Sequence, residues 1–435
     1  MNEYKSFAVT VIGSSHIKTG LVCQDASNWH QDTNISIAVV ADGHGDNNCF
    51  RSDLGAKFAV AAATEGIKQF VKDTESFFKP AGNNKKITPI EFEKLIREKL
   101  IKQTVAAWNK SVMENHKGNP FSEQELEGVK QKYLDKFEKG ESINKAYGTS
   151  LIAAVITPWY WFAYHIGDGR FSVLYPDGSG EQPVIFDEKC FLNVTTSICD
   201  DDVLEREQKD PKTGKTVPAG VRSFLSFHAV RPPPIAFFLC TDGIDDNYPV
   251  EGNEKHLYRL YRTIAITFAE DGYDSTSGKD GISGQLKDLA NQFATRGKGD
   301  DTSIAGIVNI KELKKVAPTW KENIATADAK RAEDKKIAEE KAAEERAEVE
   351  RIAAEKEAKR AEREAEANES AESSAYDNTA VYGEYINGAV RDTANEETVL
   401  EAITENDNKE VEDKEQVEKQ ETEIVEERPK IDFQA

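Results

Sequence analysis

Ala38-Val39-Val40-Ala41-Asp42-Gly43-His44-Gly45 is an apolar, β-like run that stops on an aspartate. Three more segments have the same form: Trp161-Phe162-Ala163-Tyr164-His165-Ile166-Gly167-Asp168-Gly169, Phe237-Phe238-Leu239-Cys240-Thr241-Asp242-Gly243-Ile244 and Gly299-Asp300-Asp301-Thr302-Ser303-Ile304. A carboxylate just beyond a buried strand sits on a rigid element yet faces an opening, which is what a hard, oxygen-ligated cation requires. Four such places in one chain point to a site able to pen two divalent ions.

Around these segments, residues 7–12, 35–41, 150–157, 160–166, 170–175, 235–241 and 302–310 read as strands, being rich in Val, Ile and Phe and bounded by turn residues. Apolar residues at near-helical spacing predict a helix over 48–71. Thr88-Pro89-Ile90-Glu91 is a capping box opening a second helix that runs to about His116, and 122–139 is a third candidate. Strands joined by short turns, with helices grouped in blocks, predict an antiparallel α+β domain and not a βαβ alternation. The stretch 187–220, with its Asp200-Asp201-Asp202 run, reads as an irregular loop with a solvated acidic surface.

The chain of 435 residues carries 56 basic against 78 acidic residues, a net charge of −22. Between Ala367 and Ala435 there are 20 acidic and 6 basic residues, so 14 of those charges lie in the tail and the rest of the chain is only mildly acidic. No stripe of Lys and Arg is present to bind a phosphate backbone, which argues against nucleic acid. No run approaches the roughly 18 apolar residues of a spanning helix, and Met1-Asn2-Glu3-Tyr4-Lys5 is not the basic lead-in of a signal peptide. The five cysteines form no CxxC pair, so buried free thiols in a reducing cytoplasm are expected.

These patterns divide the chain into a folded domain at 1–316, a charged single helix at 317–367 and a disordered acidic tail at 368–435. Thr319-Trp320-Lys321-Glu322 reads as the capping box that starts the charged helix, and Ile337, Val349 and Ile352 are too few for a coiled-coil seam. The tail cannot bury enough apolar surface to offset the cost of ordering it.

Clustered carboxylates repel one another, and such a cluster exists because divalent cations neutralise it. Two cations about 3.5–4 Å apart can ionise a water between them and aim it in line at phosphorus, so phosphoester hydrolysis is the natural use. The leaving oxygen must still gain a proton, and His44, two residues after Asp42, is the candidate general acid.

At this point the sequence resembles the metal-dependent serine/threonine protein phosphatases, the type 2C or PPM family, in its divergent bacterial-type branch. The likeness runs from about residue 7 to residue 310. Asp42-Gly43-His44-Gly45 is similar to the family's DGHG, Gly148-Thr149-Ser150 to its small-residue entry into a central strand, and Ile166-Gly167-Asp168-Gly169-Arg170 to its GDSR-like turn. Thr241-Asp242-Gly243-Ile244-Asp245-Asp246 is similar to its TDG-x-x-D segment and Gly299-Asp300-Asp301-Thr302-Ser303 to its closing DN-x-T/S motif. One Asp-Gly turn means little, whereas five motifs in family order are specific.

The resemblance implies two packed antiparallel β-sheets flanked by helices, an αββα sandwich, with the metal site at one edge. It implies Mn²⁺ or Mg²⁺ as cofactor, two ions with room for a third. Asp42 would bridge the pair, the Gly43 carbonyl would bind one ion, and Asp242 and Asp300 would complete the inner set. Asp25 also counts among the ligands, and Asp168 and Asp246 match positions that hold a further, looser ion. The implied activity is hydrolysis of phosphoserine and phosphothreonine in a phosphoprotein, with a protein kinase acting on the same substrates, in a cytoplasmic monomer.

Three departures stand out. Gln24 replaces the family's glutamate in Gln24-Asp25, Gly20 stands where the family's phosphate-gripping arginine belongs, and Asp301 replaces asparagine. Lys18 and His16 are the nearest cations in sequence that can take over the grip, with Gln24 and Asp301 supporting the ligands from behind. The departures define a rival reading, a pseudophosphatase that binds or scaffolds partners through its charged tail. A purely structural role for the charged helix leaves the aspartate motifs unexplained. His165 within its strand, and Trp159 and Trp161 around it, read as packing residues.

Overall fold

A computed structural model of the chain describes residues 3–79, 87–190, 194–249, 252–271 and 282–375. The strands are β1 (Tyr4–Val11), β2 (Ala26–Gln31), β3 (Ser36–Ala41), β4 (Leu151–Ile156), β5 (Tyr160–Ile166), β6 (Arg170–Leu174), β7 (Gly180–Glu181), β8 (Glu207–Lys209), β9 (Thr216–Pro218), β10 (Arg222–Phe227), β11 (Ala236–Cys240) and β12 (Thr302–Asn309). They form two five-stranded antiparallel sheets, ordered β1-β12-β11-β6-β7 and β10-β5-β4-β3-β2, and the separate hairpin β8-β9. The helices are α1 (Ser14–Thr19), α2 (Ser52–Thr74), α3 (Pro89–Leu95), α4 (Lys102–Gly118), α5 (Gln131–Glu138), α6 (Asp242–Asp245), α7 (Asn253–Asp271), α8 (Ile282–Ala294) and α9 (Ile310–Ala375).

Every residue of β3, β4 and β5 is buried, because that sheet is covered on both faces. Alternation then assigns the faces: Ile37, Val39 and Ala41 join the core shared with the helices, whereas Ala38 and Val40 join the core between the sheets. Trp161 and Phe237 meet edge to face in that inter-sheet layer, 5.3 Å between ring centres. On the far side of the other sheet, Phe238 stacks on Tyr261 of α7 at 4.5 Å. The architecture is thus the expected αββα sandwich.

Three local expectations change. Residues 187–220 hold the hairpin β8-β9 and not only irregular chain. In the third helix candidate only Gln131–Glu138 is helical, and Gly128 at φ 78° interrupts the stretch before it. The largest change is at the end of the domain. Strand β12 passes directly into α9, whose first turn is capped by the Asn309 side chain accepting from Glu312 N at 3.1 Å, so Thr319 starts nothing. Leu313, Ala317 and Trp320 are buried, and the Trp320 indole donates to the Pro176 carbonyl at 3.1 Å. The boundary expected at 316/317 therefore moves to Asp328, where the first compact unit ends.

Past that point α9 is exposed throughout its described side chains and carries pairs such as Arg351 with Glu348 and Arg360 with Glu364. The expected disordered tail, 368–435, lies almost wholly outside the described residues. Among the described residues no helix is long and apolar enough to cross a membrane.

Candidate active site

Strand register brings the aspartate-bearing ends together. Cys240 at the end of β11 pairs with Arg170 at the start of β6 and with Ile304 near the start of β12. Asp168, Asp242 and Asp300 therefore project from one edge of one sheet, and Asp42 leaves β3 at the corresponding edge of the other. Between them opens a cleft of about 1070 Å³, lined by Asp42, Asp168, Asp242, Asp246 and Asp300 together with Gly43, His44, Gln24 and His16.

The backbone at Asp42 is clamped from the neighbouring strand. Its carbonyl accepts from Thr149 Oγ1 at 2.7 Å and Ser150 N at 2.8 Å, and its own N–H donates to Ser150 Oγ at 3.0 Å. This is what Gly148-Thr149-Ser150 contributes: small residues whose hydroxyls replace ladder bonds at the strand end. Gly43 is required by close approach, since a Cβ there would stand 2.5 Å from the Gln24 carbonyl oxygen.

Electrostatics at the base of the cleft are those of crowded acids. Burial, then the charges of Asp242, Asp25 and Asp168, hold the Asp42 carboxyl well above the ordinary range. Burial pushes Asp242 up to about 7, even though a hydrogen bond from Asp42 pulls the other way. Asp168 is also raised, chiefly by burial. Carboxyls buried and crowded in this way are suited to divalent cations, which discharge the same repulsion. Among the described residues no three Asp, Glu, His or Cys side chains already stand as a closed ligand group. The donor set is oxygen throughout, the chemistry that Mg²⁺ and Mn²⁺ take.

Not every predicted residue faces the cleft. Asp25 is buried one layer below, its Oδ2 accepting from Thr241 Oγ1 at 2.8 Å, and burial raises its pKa. Asp301, expected behind the ligands, is a clasp: it accepts from Gly13 N at 2.7 Å, Gln24 N at 2.6 Å and His16 Nδ1 at 3.0 Å. His16 lines the cleft while tethered by that bond. Lys18 does not line it; the residue is exposed on α1. Gly20 closes α1 with φ 73°, a left-handed cap that strongly favours glycine over an arginine. Gln24 sits in the cleft with its Oε1 3.6 Å from the Cβ position of Gly45.

His44 is set beside the carboxylates by its N–H donating to the Gly148 carbonyl at 3.1 Å. Burial, assisted by the Lys145 charge, lowers its pKa to about 4. Its Nε2 is buried without a hydrogen-bond partner. Sequence reading missed Asp245, which lines the cleft and pairs with Arg170 at 2.7 Å, and it missed Lys145 and Lys298 on the rim. Asp245 was legible beside Asp246; Lys145 carried only the weak signal of lying three residues before Gly148.

Residues 12–277, more than half of the chain, match the family described as Protein phosphatase 2C. No curated protein sequence matches. Among solved structures, the serine/threonine phosphatase Stp1 from Staphylococcus aureus is 15% identical, with 70% of this chain and 94% of that one covered and a TM-score of 0.37. The Mycobacterium tuberculosis serine/threonine phosphatase PstP/Ppp is 16% identical, with 70% and 98% covered and a TM-score of 0.34. The catalytic domain of PstP in complex with two manganese ions is 15% identical, with 70% and 97% covered and a TM-score of 0.34.

Proposed function

We propose, for a chain that belongs to the protein phosphatase 2C family, that it hydrolyses phosphoserine and phosphothreonine in proteins and that it does so with Mn²⁺ or Mg²⁺. The observation that carries this reading is the convergence of Asp42, Asp168, Asp242 and Asp300 on one cleft at the meeting of the two sheets. Asp42, Asp242, Asp300 and the Gly43 carbonyl are the groups that would hold the ions, with Asp168 and Asp246 further out and Asp25 supporting from below. When bound, the ions supply neutralisation of the phosphoryl oxygens and a nucleophilic water at neutral pH.

The chain's own residues do the rest. The clamp from Thr149 and Ser150 fixes where the Asp42 carboxyl stands, so the charge it presents needs no reorganisation during reaction. Asp301 ties α1, the Gln24 backbone and β12 into one wall. His44, with Nε2 unpartnered, is placed to hand a proton to the departing serine or threonine oxygen once the negative charge of a bound phosphoryl group offsets the burial that lowers its pKa. A phosphoprotein is then the substrate, with a kinase as its counterpart, in a cytoplasmic monomer.

The second reading, a pseudophosphatase that only binds phosphoproteins, is favoured by Gln24, a neutral amide in the cleft at the family's glutamate position, and by Gly20 in place of arginine. Turnover of a phosphothreonine peptide with and without Mn²⁺ separates the two: metal-dependent phosphate release supports the enzyme, and binding without release supports the rival.

A further inference from the structure

With the family's arginine absent, the question is which cation receives the substrate's phosphoryl group. The basic side chains that line the cleft are His16, His44, Lys145, Arg170 and Lys298. All but two are already paired. His16 is held by Asp301 at 3.0 Å, Arg170 by Asp245 at 2.7 Å, and Lys298 by Asp246 at 2.8 Å. His44 is already assigned to the leaving oxygen as the candidate acid. Among the described residues Lys145 has no carboxylate partner, its side-chain neighbour being the Cys49 thiol. The two acids within electrostatic reach of it, Asp46 and Asp200, are matched to Lys130 at 3.8 Å and Lys189 at 2.8 Å.

Lys145 is also built into place. It lies in the 3-10 turn Ile143–Tyr147, pinned by Arg51 N donating to the Ala146 carbonyl at 2.8 Å and by Gly148 N donating to the Lys145 carbonyl at 3.2 Å. Its ammonium stands 5.9 Å from the centre of the Tyr133 ring, and its charge is felt by the Cys49 and Cys199 thiols. Burial pushes the Cys49 thiol up to about 12, so that neighbour is neutral and cannot discharge the lysine. A Cβ on Gly148 would stand 2.9 Å from Cys49 Sγ and 3.0 Å from His44 Cδ2, which places that thiol and the imidazole around one small space.

We propose that Lys145 is the positioning residue for the phosphate monoester, receiving a non-bridging phosphoryl oxygen in place of the absent arginine. The inference rests on the phosphatase reading above. A lysine is a point charge without a bidentate fork, so it holds the phosphoryl group less directionally than arginine. It holds ground state and transition state alike, so its loss is read mainly in KM.

The test uses the full-length protein with Mn²⁺ and inorganic phosphate as the probe, titrated calorimetrically, with aryl phosphate turnover measured in parallel. Lys145→Met keeps the aliphatic stem and its packing while removing the charge. It is expected to weaken phosphate binding and raise KM by about tenfold, one charge-assisted hydrogen bond, with kcat changed much less. Lys145→Arg restores affinity, and Lys57→Ala, on the exposed face of α2, binds as the parent does. Phosphate affinity unchanged in Lys145→Met, at an unchanged melting temperature, overturns the inference while leaving the phosphatase reading standing. Affinity lost in Lys145→Met from a parent that turns nothing over supports the inference and overturns the reading. A parent that binds no phosphate overturns the inference whatever its turnover.

Discussion

Asp42 and Asp242 face one cleft, close enough for the charge of Asp242 to raise the Asp42 carboxyl, although one follows the last residue of β3 in one sheet and the other opens α6 after β11 in the other. The site thus lies across the inter-sheet seam, and its occupancy is coupled to how the sheets meet. Without a metal ion, burial and mutual charge raise both carboxyls, and an amide at one of them removes the repulsion. Asp242→Asn is therefore expected to raise the melting temperature in EDTA by the equivalent of about 1 kcal/mol, while abolishing the upward shift that Mn²⁺ gives the parent. Thermal melts with and without Mn²⁺ check it; an unchanged Mn²⁺ shift in the variant removes Asp242 from the ligand set.

His44→Gln separates proton donation from positioning. Alkyl phosphates leave poorly and need the proton, whereas aryl phosphates hardly do, so kcat should fall about 100-fold or more for the former and much less for the latter. Equal losses for both substrates deny His44 the role of general acid.

Arg51 couples the segment after Asp42 to the helical face. It donates to Glu125 at 2.6 and 3.0 Å, to the Asn119 carbonyl at 2.6 Å and to Tyr147 Oη at 2.8 Å. The Arg51 hydrogen bond holds the Glu125 carboxyl down at about 2. A depressed acid stabilises the fold above its unfolded pKa, near 4.5, and that stability is lost as pH falls through the folded value. Allowing for solvent screening of the partly exposed Glu125, the contribution is about 1 kcal/mol. Denaturant midpoints of the parent and Glu125→Gln should differ at pH 7, draw together below about pH 4.5 and converge only below about pH 2; a constant gap across that range contradicts the linkage.

Cutting the chain after Asp328 is expected to leave folding and aryl phosphate turnover intact, because the compact unit ends there. Cutting after Val316 removes Trp320, which is only 2% exposed. That truncation, or Trp320→Ala in the full chain, should cost about 3 kcal/mol in chemical denaturation. Equal stability of the two truncations shows that the indole adds nothing to the domain.

The sandwich was legible because its central strands are uniformly apolar and each ends on a motif; β3, β5, β11 and β12 could be read within a residue or so. Strand β10 was not, because Arg222–Phe227 is half-exposed at a sheet edge and lacks an apolar run. Trp320 was hidden by its setting, a single aromatic among charges that read as solvated helix. The aspartates were found by type and position, but sequence gives no depth. Asp25 reads as a ligand and Asp301 as a support in one dimension, and only packing shows one bonded to Thr241 and the other clasping three separate groups. That Lys145 has no carboxylate partner among the described residues is likewise a property of its neighbours' partners and not of its own sequence.

The most direct test of the central claim is release of phosphate from a phosphothreonine peptide by the purified full-length protein, with Mn²⁺, with Mg²⁺ and in EDTA, alongside Asp42→Asn. Release with either metal, none in EDTA and a loss of at least about 100-fold in Asp42→Asn is the predicted result. Undiminished release in EDTA, or parent-like release by Asp42→Asn, contradicts it.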